Sequence, residues 1–261
     1  MKIIAVINQK GGVGKSTTAL SIGAGLARRS RRVLFIDLDA QGNLSHTLGA
    51  ESGFSAMDLL LAQMTIDNAQ MTIDNAWLIP SSPALAAADT TITQTGKEYR
   101  LKEALEQLSI VHCPLSIDYV IIDTPPALGI LTINALTAAH GVIIPAQADI
   151  YSLQGISQLY GTLDTVRRYC NPGLKVMGIL LTRFNSRAVI SREAAEMIEG
   201  TAAELDTKVF RARVRECTAI KESQAVRQSI FDYAPKSNAA ADYAGVVEEI
   251  LQEEHPNAQD V

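Results

Sequence analysis

The chain has 261 residues, a formal net charge of −5, 47% hydrophobic and 20% charged side chains, and one tryptophan. That is an ordinary globular composition with enough aliphatic residues for a real core; no cationic apolar leader and no apolar run near 18 residues points to export or a membrane span. Three scattered cysteines, Cys113, Cys170 and Cys217, exclude a disulfide framework and give no metal-ligand spacing, as expected of a cytoplasmic protein.

In chain order, short apolar runs alternate with helical stretches. "KIIAVIN" (2–8) reads as a strand, followed by a glycine-rich turn and a helix from about residue 15 to 30. "RVLFIDLD" (32–39) is a second strand and "WLIPSS" (77–82) a short third. A helix near 98–109 precedes "DYVIIDTPP" (118–126), and "GVIIPAQA" (141–148) and "KVMGILLTRF" (175–184) are further buried-type strands. Helices are expected at 130–140, 152–170, 189–204, 216–227 and 237–254. Apolar strands separated by helices predict an α/β fold, a doubly wound, mostly parallel sheet covered on both faces. Its strand-to-helix loops gather along one edge, where ligands bind. No linker divides the chain, so one domain over 1–261 is expected, with a short, acidic, flexible tail at about 254–261. The tandem repeat "MTIDNAQ" (64–70) and "MTIDNAW" (71–77) reads as a duplication in a surface loop, which tolerates lengthening.

The densest chemistry is "NQKGGVGKSTT" (8–18). A strand, a glycine turn and a helix opening on Lys15-Ser16-Thr17 form a phosphate cradle in which the backbone of Gly11, Gly12, Val13 and Gly14 surrounds the anion. Lys15 would reach the β- and γ-phosphates and the Ser16 hydroxyl would hold Mg²⁺. The strict G-x-x-x-x-G-K-[ST] pattern fails at Gln9, and Lys10 is a surplus cation. Carboxylates at strand ends complete the set. Asp123 closes "YVIID" and would hold Mg²⁺ through water, while Asp37 and Asp39, two apart, share one side of an extended chain.

"KGGVGKST", "FIDLDAQGN" and "VIIDTPP", in that order, resemble the deviant Walker A, A′ and B motifs of the ParA/MinD family of P-loop ATPases, and "LIPSSPALA", "IIPAQADIYSLQG" and "YAPKSNAAADY" extend the likeness over nearly the whole chain. With no helix-turn-helix segment ahead of the first strand, the resemblance is to the short, Soj-like partition members. It implies that ATP, with Mg²⁺, closes a sandwich homodimer in which Lys10 reaches the partner's nucleotide. It further implies that Asp39 positions the attacking water and that Asp37 supports the metal. Adenine recognition is implied at Arg183-Phe184-Asn185 and around Pro235. The family also implies non-specific DNA binding, nucleoid association when ATP-bound, and a ParB-like centromere-binding activator.

Charge is uneven. Lys208 to Arg227 carries six basic residues against Glu216 and Glu222, whereas Asp242 to the end carries six acidic residues and no Lys or Arg. In "KVFRARVREC" (208–217), alternating Arg211, Arg213 and Arg215 would project from one side of an extended segment and neutralise DNA phosphates. Competing readings are weaker. A MinD-like membrane or protein-cargo ATPase needs a basic C-terminal amphipathic helix, and this end is acidic. An iron–sulfur ATPase needs bridging cysteines, but nothing after "DTPP" supplies a cysteine until Cys170 and no C-x-x-C exists. A kinase-like relative would have a tyrosine-rich tail, where only Tyr243 stands.

Overall fold

A computed structural model describes residues 1–51, 53–63, 68–110 and 116–253. Cys113, the start of the repeat and the tail from 254 therefore lie outside the described residues.

Seven strands form one sheet: β1 (Lys2–Val6), β2 (Val33–Asp37), β3 (Gln70–Ile73), β4 (Ala76–Ile79), β5 (Tyr119–Asp123), β6 (Gly141–Gln147) and β7 (Lys175–Thr182). Their spatial order is β3-β4-β2-β5-β1-β6-β7, parallel throughout except for β3, which runs antiparallel to β4. The six predicted strands are all present, each ending one to three residues earlier than expected, and β4 also beginning one residue earlier. Period-2 alternation inside continuous apolar runs feeds both faces. Ile4, Val6, Phe35 and Ile121 pack on one side under α1 (Lys15–Ala27) and α11 (Asn238–Gln252). Ile3, Ala5, Leu34, Ile36, Val120 and Ile122 pack on the other. That second face is covered by α3 (Ala56–Leu60), α5 (Arg100–Ile110), α6 (Ile130–Ala138), α7 (Ile150–Tyr169) and α8 (Val189–Glu204). Helix α1 lies close to the sheet because Gly23 faces Phe35; a Cβ there would come within 2.1 Å of the ring. Tyr243 is 1% exposed, a core residue whose hydroxyl meets Thr18 Oγ1 at 3.2 Å.

Four short elements escape the hydrophobic pattern: α2 (Asn43–Thr47), α3, α10 (Ile230–Tyr233) and β3. The last corrects the expectation of a surface loop. The second copy of the repeat, with Gln70 before it and Leu78-Ile79 after it, builds an edge hairpin, Gln70–Ile73 against Ala76–Ile79, turning at Asp74-Asn75 with Asn75 in the left-handed region at φ 62°. Asparagine tolerates that conformation, which tight hairpin turns demand. Among the described residues the remaining α-helices are α4 (Ala88–Thr91) and α9 (Thr218–Ala225). Among the described residues no helix is long and apolar enough to cross a membrane.

Candidate nucleotide site

The C-terminal ends of β1, β2 and β5 meet in register, Val6 beside Asp123 and Asp123 beside Asp37. The phosphate loop leaves β1 there and is fixed from several sides. Asn8 Nδ2 donates to Pro145 O (2.7 Å) while its Oδ1 accepts from Lys10 N (2.9 Å). Gln147 donates to Gly12 O (3.2 Å), and Thr182 Oγ1 to Val13 O (2.8 Å). Gly12 and Gly14 take φ of 74° and 91°, a backbone that side chains disfavour, so the loop can present its amides to an anion.

Charge is concentrated beneath the loop. Lys15 is 7% exposed, and among the described residues its ammonium donates a hydrogen bond only to Lys10 O, at 3.4 Å. Burial pulls its pKa down, and the Asp123 and Asp39 charges push it back up. Asp37 is fully buried yet satisfied: its Oδ1 accepts from Asp39 N (3.1 Å), and its Oδ2 from Ser45 N (2.9 Å) and Ser45 Oγ (2.7 Å). Burial nevertheless lifts it to about 6. Ser45 Oγ also accepts from Ser81 N at 2.8 Å, so Asp37 braces the loop carrying Asp39. Asp123 is the contrast. It is fully buried, and among the described residues neither oxygen has a partner in hydrogen-bond geometry. Burial and then the Asp37 charge raise its pKa well above the ordinary carboxylate range, with Ser16 and the Lys15 ammonium offsetting this only in part. A buried polar atom without a partner carries a penalty of kilocalories, and a bound cation removes it. The donor set therefore fits a Mg²⁺ held by Asp123 and Ser16, with Asp37 spent on bracing. Among the described residues no three carboxylate, histidine or cysteine side chains form a metal cage, so the remaining ligands would be water and phosphate oxygens.

A cavity of about 480 Å³ opens above these groups, lined among others by Gly12, Lys15, Thr17, Asp39, His46 and Arg183. A smaller one of about 90 Å³ adjoins it, lined by Val13, Val214, Cys217, Ile220 and Tyr243. Arg183, at φ 49°, borders both. Phe184 is buried, with the Arg213 guanidinium 4.9 Å from its ring centre. Asn185 caps the turn into α8 by accepting from Arg187 N at 3.0 Å, and Pro235 borders neither cavity. Lys10 is engaged at the start of α7: its ammonium pairs with Asp149 Oδ2 at 2.6 Å, both side chains about one-third exposed, and lies 5.9 Å from the Tyr151 ring. Asp149 is also the N-cap of α7, accepting from Ser152 N at 2.9 Å.

The arginine segment runs beside β7, bridged at Ile179–Val209 and Phe184–Arg215. The expected single row is split. Arg211 and Arg215 turn to α11, pairing with Glu249 (3.8 Å) and, through two bonds, with Asp242 (2.9 and 2.6 Å). Arg213 turns to Glu199 on α8. Residues two apart share one face of a regular strand, but this segment is joined to its neighbour only by two isolated bridges, so it lacks the continuous ladder that would hold the three arginines in one row. Sequence reasoning also missed Asn8, Ser45, Asp149 and Gln224. Asp149 carried a legible N-cap signal three residues ahead of Ser152; the others act through contacts far apart in sequence.

Comparison with known proteins agrees with this construction. A family model described as an AAA domain matches residues 1–176. The chain is 37% identical over 263 residues to the chromosome partitioning protein ParA of Myxococcus xanthus, covering 98% of this chain and 90% of that one. It is also 37% identical to the sporulation initiation inhibitor protein Soj of Bacillus subtilis, covering 95% and 98%. A solved structure of cobyrinic acid a,c-diamide synthase from Mycobacterium smegmatis, with bound ATP analogue and magnesium, superposes with a TM-score of 0.83 at 34% identity, covering 97% and 96% of the two chains. The deviant phosphate loop, the buried carboxylates at the strand ends and full-length likeness to ParA and Soj together place this chain in the ParA/Soj family of partitioning ATPases.

Proposed function

We propose that this protein is an ATP-driven switch for DNA segregation: ATP and Mg²⁺ close a sandwich homodimer that holds DNA without reading its sequence, and partner-stimulated hydrolysis releases it. The observation that carries the nucleotide half is the buried Asp123 carboxylate, unpartnered among the described residues, beneath a glycine loop and next to a buried lysine. When bound, Mg²⁺ neutralises charge on the transferring phosphoryl group. Asp123 and Ser16 hold the metal, Lys15 binds the β- and γ-phosphates, and the Asp39 carboxylate, on the cavity wall, orients the attacking water. Asp39 is itself held by its amide on Asp37 and by accepting from Gln41 N at 3.1 Å. Arg183 borders the base end.

Lys10 serves the second subunit. In the single chain Asp149 holds it, so reaching a partner's phosphate requires that pair to open. Exposed pairs of this kind are weak, and a desolvated phosphate is the stronger anion. For DNA, Arg211, Arg213 and Arg215 supply phosphate contacts, and binding exchanges their carboxylate partners for the duplex backbone. A small basic ParB-like protein acts as activator, and the assembly sits on the nucleoid in its ATP state.

Binding of a random-sequence duplex, followed by fluorescence anisotropy with ATP, ADP or no nucleotide across a salt series, tests the reading. Binding that needs ATP and falls steeply with salt is the expected result. Nucleotide-independent binding, or ATP-dependent capture by anionic liposomes in its place, rejects it in favour of a MinD-like role.

A further inference from the structure

Helix α9 contributes nothing to the phosphate loop, yet it walls the site. Gln224 borders both the larger cavity and the smaller one, and its Nε2 donates to Thr17 Oγ1 at 2.9 Å. Just past the helix, Arg227 sits in left-handed backbone at φ 56°, its Nη2 3.4 Å from His46 Nε2 on α2. One short helix is thus tied to the first turn of α1 and to the helix that follows the Asp39 loop. The Gln224 amide meets Thr17 directly, with no second residue between them.

A hydroxyl has one proton and two lone pairs. The Gln224 N–H occupies a lone pair of Thr17 and leaves the Thr17 proton to be donated elsewhere. Thr17 lines the larger cavity beside Ser16 and Lys15. We infer that Gln224 is a positioning residue for the nucleotide: by donating to Thr17 Oγ1 it turns the Thr17 hydroxyl proton into the cavity, where it donates to a phosphate oxygen. The chain amide → hydroxyl → phosphate runs in one direction, and each bond polarises the next. This rests on Thr17 being a nucleotide contact. Thr17 is thereby assigned to one of the α- and β-phosphates, which ATP and ADP share, so the effect applies to both nucleotides.

The test uses the full chain, Mg·ADP and Mg·ATP, and calorimetric or fluorescent titration of Gln224→Ala, Gln224→Glu, Thr17→Val and the double variant Thr17→Val/Gln224→Ala. Gln224→Ala loses one neutral hydrogen bond and is expected to bind both nucleotides about threefold to tenfold more weakly. Gln224→Glu has the same shape but, ionised, only accepts; it draws the Thr17 O–H into a hydrogen bond with itself and away from phosphate, adds negative charge near phosphate, and is expected to bind more weakly than Gln224→Ala. The double variant should match Thr17→Val alone, because the two residues act as one unit. A Gln224→Glu protein that binds as tightly as the parent, or losses that simply add in the double variant, overturns the inference. A Thr17→Val protein with unchanged affinity overturns the underlying assignment of Thr17 instead. Unchanged nucleotide-free melting of each variant shows that the fold is intact.

Discussion

Two charged regions of this molecule follow opposite rules. Where β1, β2 and β5 end, Lys15, Asp37 and Asp123 are buried, and among the described residues the oxygens of Asp123 have no partner in hydrogen-bond geometry. Beside β7, Arg211, Arg213 and Arg215 are wholly or partly exposed and each has a carboxylate. Buried charge without compensation is costly, so it persists where a ligand supplies what is missing. Exposed pairs contribute little and exchange readily for other anions. The first region stores a demand for one cation and one anion at fixed positions; the second offers replaceable charge to any polyanion. The difference separates a stereospecific site from a surface whose charges are suited to the DNA contact proposed above.

The comparison breaks first at Lys15. Lys15→Ala should abolish nucleotide binding or turnover, measured by calorimetry and phosphate release; retention of both would remove the buried lysine from the site. Next come the groups that act on chemistry more than on binding. Asp39→Ala and Lys10→Ala should each still bind ATP yet lose on the order of 100-fold or more in turnover. Asp39→Ala should in addition accumulate as an ATP-bound, DNA-competent dimer, visible by light scattering. Normal turnover in either variant dismisses that residue's role.

The basic segment is sharpened by changing its two sides separately. Charge reversal at Arg211, Arg213 and Arg215 should remove ATP-dependent DNA binding and lower the salt slope by about 0.9 per lost phosphate contact. Asp242→Asn, Glu249→Gln and Glu199→Gln keep an acceptor oxygen for the segment but remove the competing charge. They should raise DNA affinity severalfold at fixed salt, by counterion arithmetic. Weaker or unchanged DNA binding in the carboxamide variants would mean that these arginines serve the fold.

The smallest effect concerns the Lys10–Asp149 pair. Burial favours the neutral acid at Asp149, but the Lys10 ammonium and the Ser152 amide and hydroxyl outweigh it and hold its pKa below the ordinary value. A carboxylate depressed in the folded state stabilises fully above its unfolded pKa, and that contribution fades as pH falls through the folded one. Melting temperature followed from pH 5 downward should therefore drop more steeply in the parent than in Asp149→Asn, by about a degree or two. Parallel curves would show that the pair contributes nothing to the folded monomer.

Much of this protein was legible in one dimension. Six of the seven strands, the larger helices and the order of the three nucleotide motifs rest on local rules: alternation within apolar runs, glycine where φ turns positive, a carboxylate closing a buried strand. Those rules place Lys15, Asp37, Asp39 and Asp123 at one sheet edge, since parallel crossovers leave no other arrangement. The edge strand β3 was hidden because a half-exposed hairpin strand lacks a strong apolar signal and its sequence is duplicated. What only the tertiary structure decided is which charge meets which. Asp37 and Asp123, adjacent in the sheet and equal in type, divide into a brace and an orphan because Ser45 reaches one of them. Lys10 meets Asp149 and Thr17 meets Gln224 across 139 and 207 residues. The arginine row divides between two helices. Hydrogen bonds and ion pairs act over a few ångströms, so their partners are fixed by packing, which no local spacing in the sequence records.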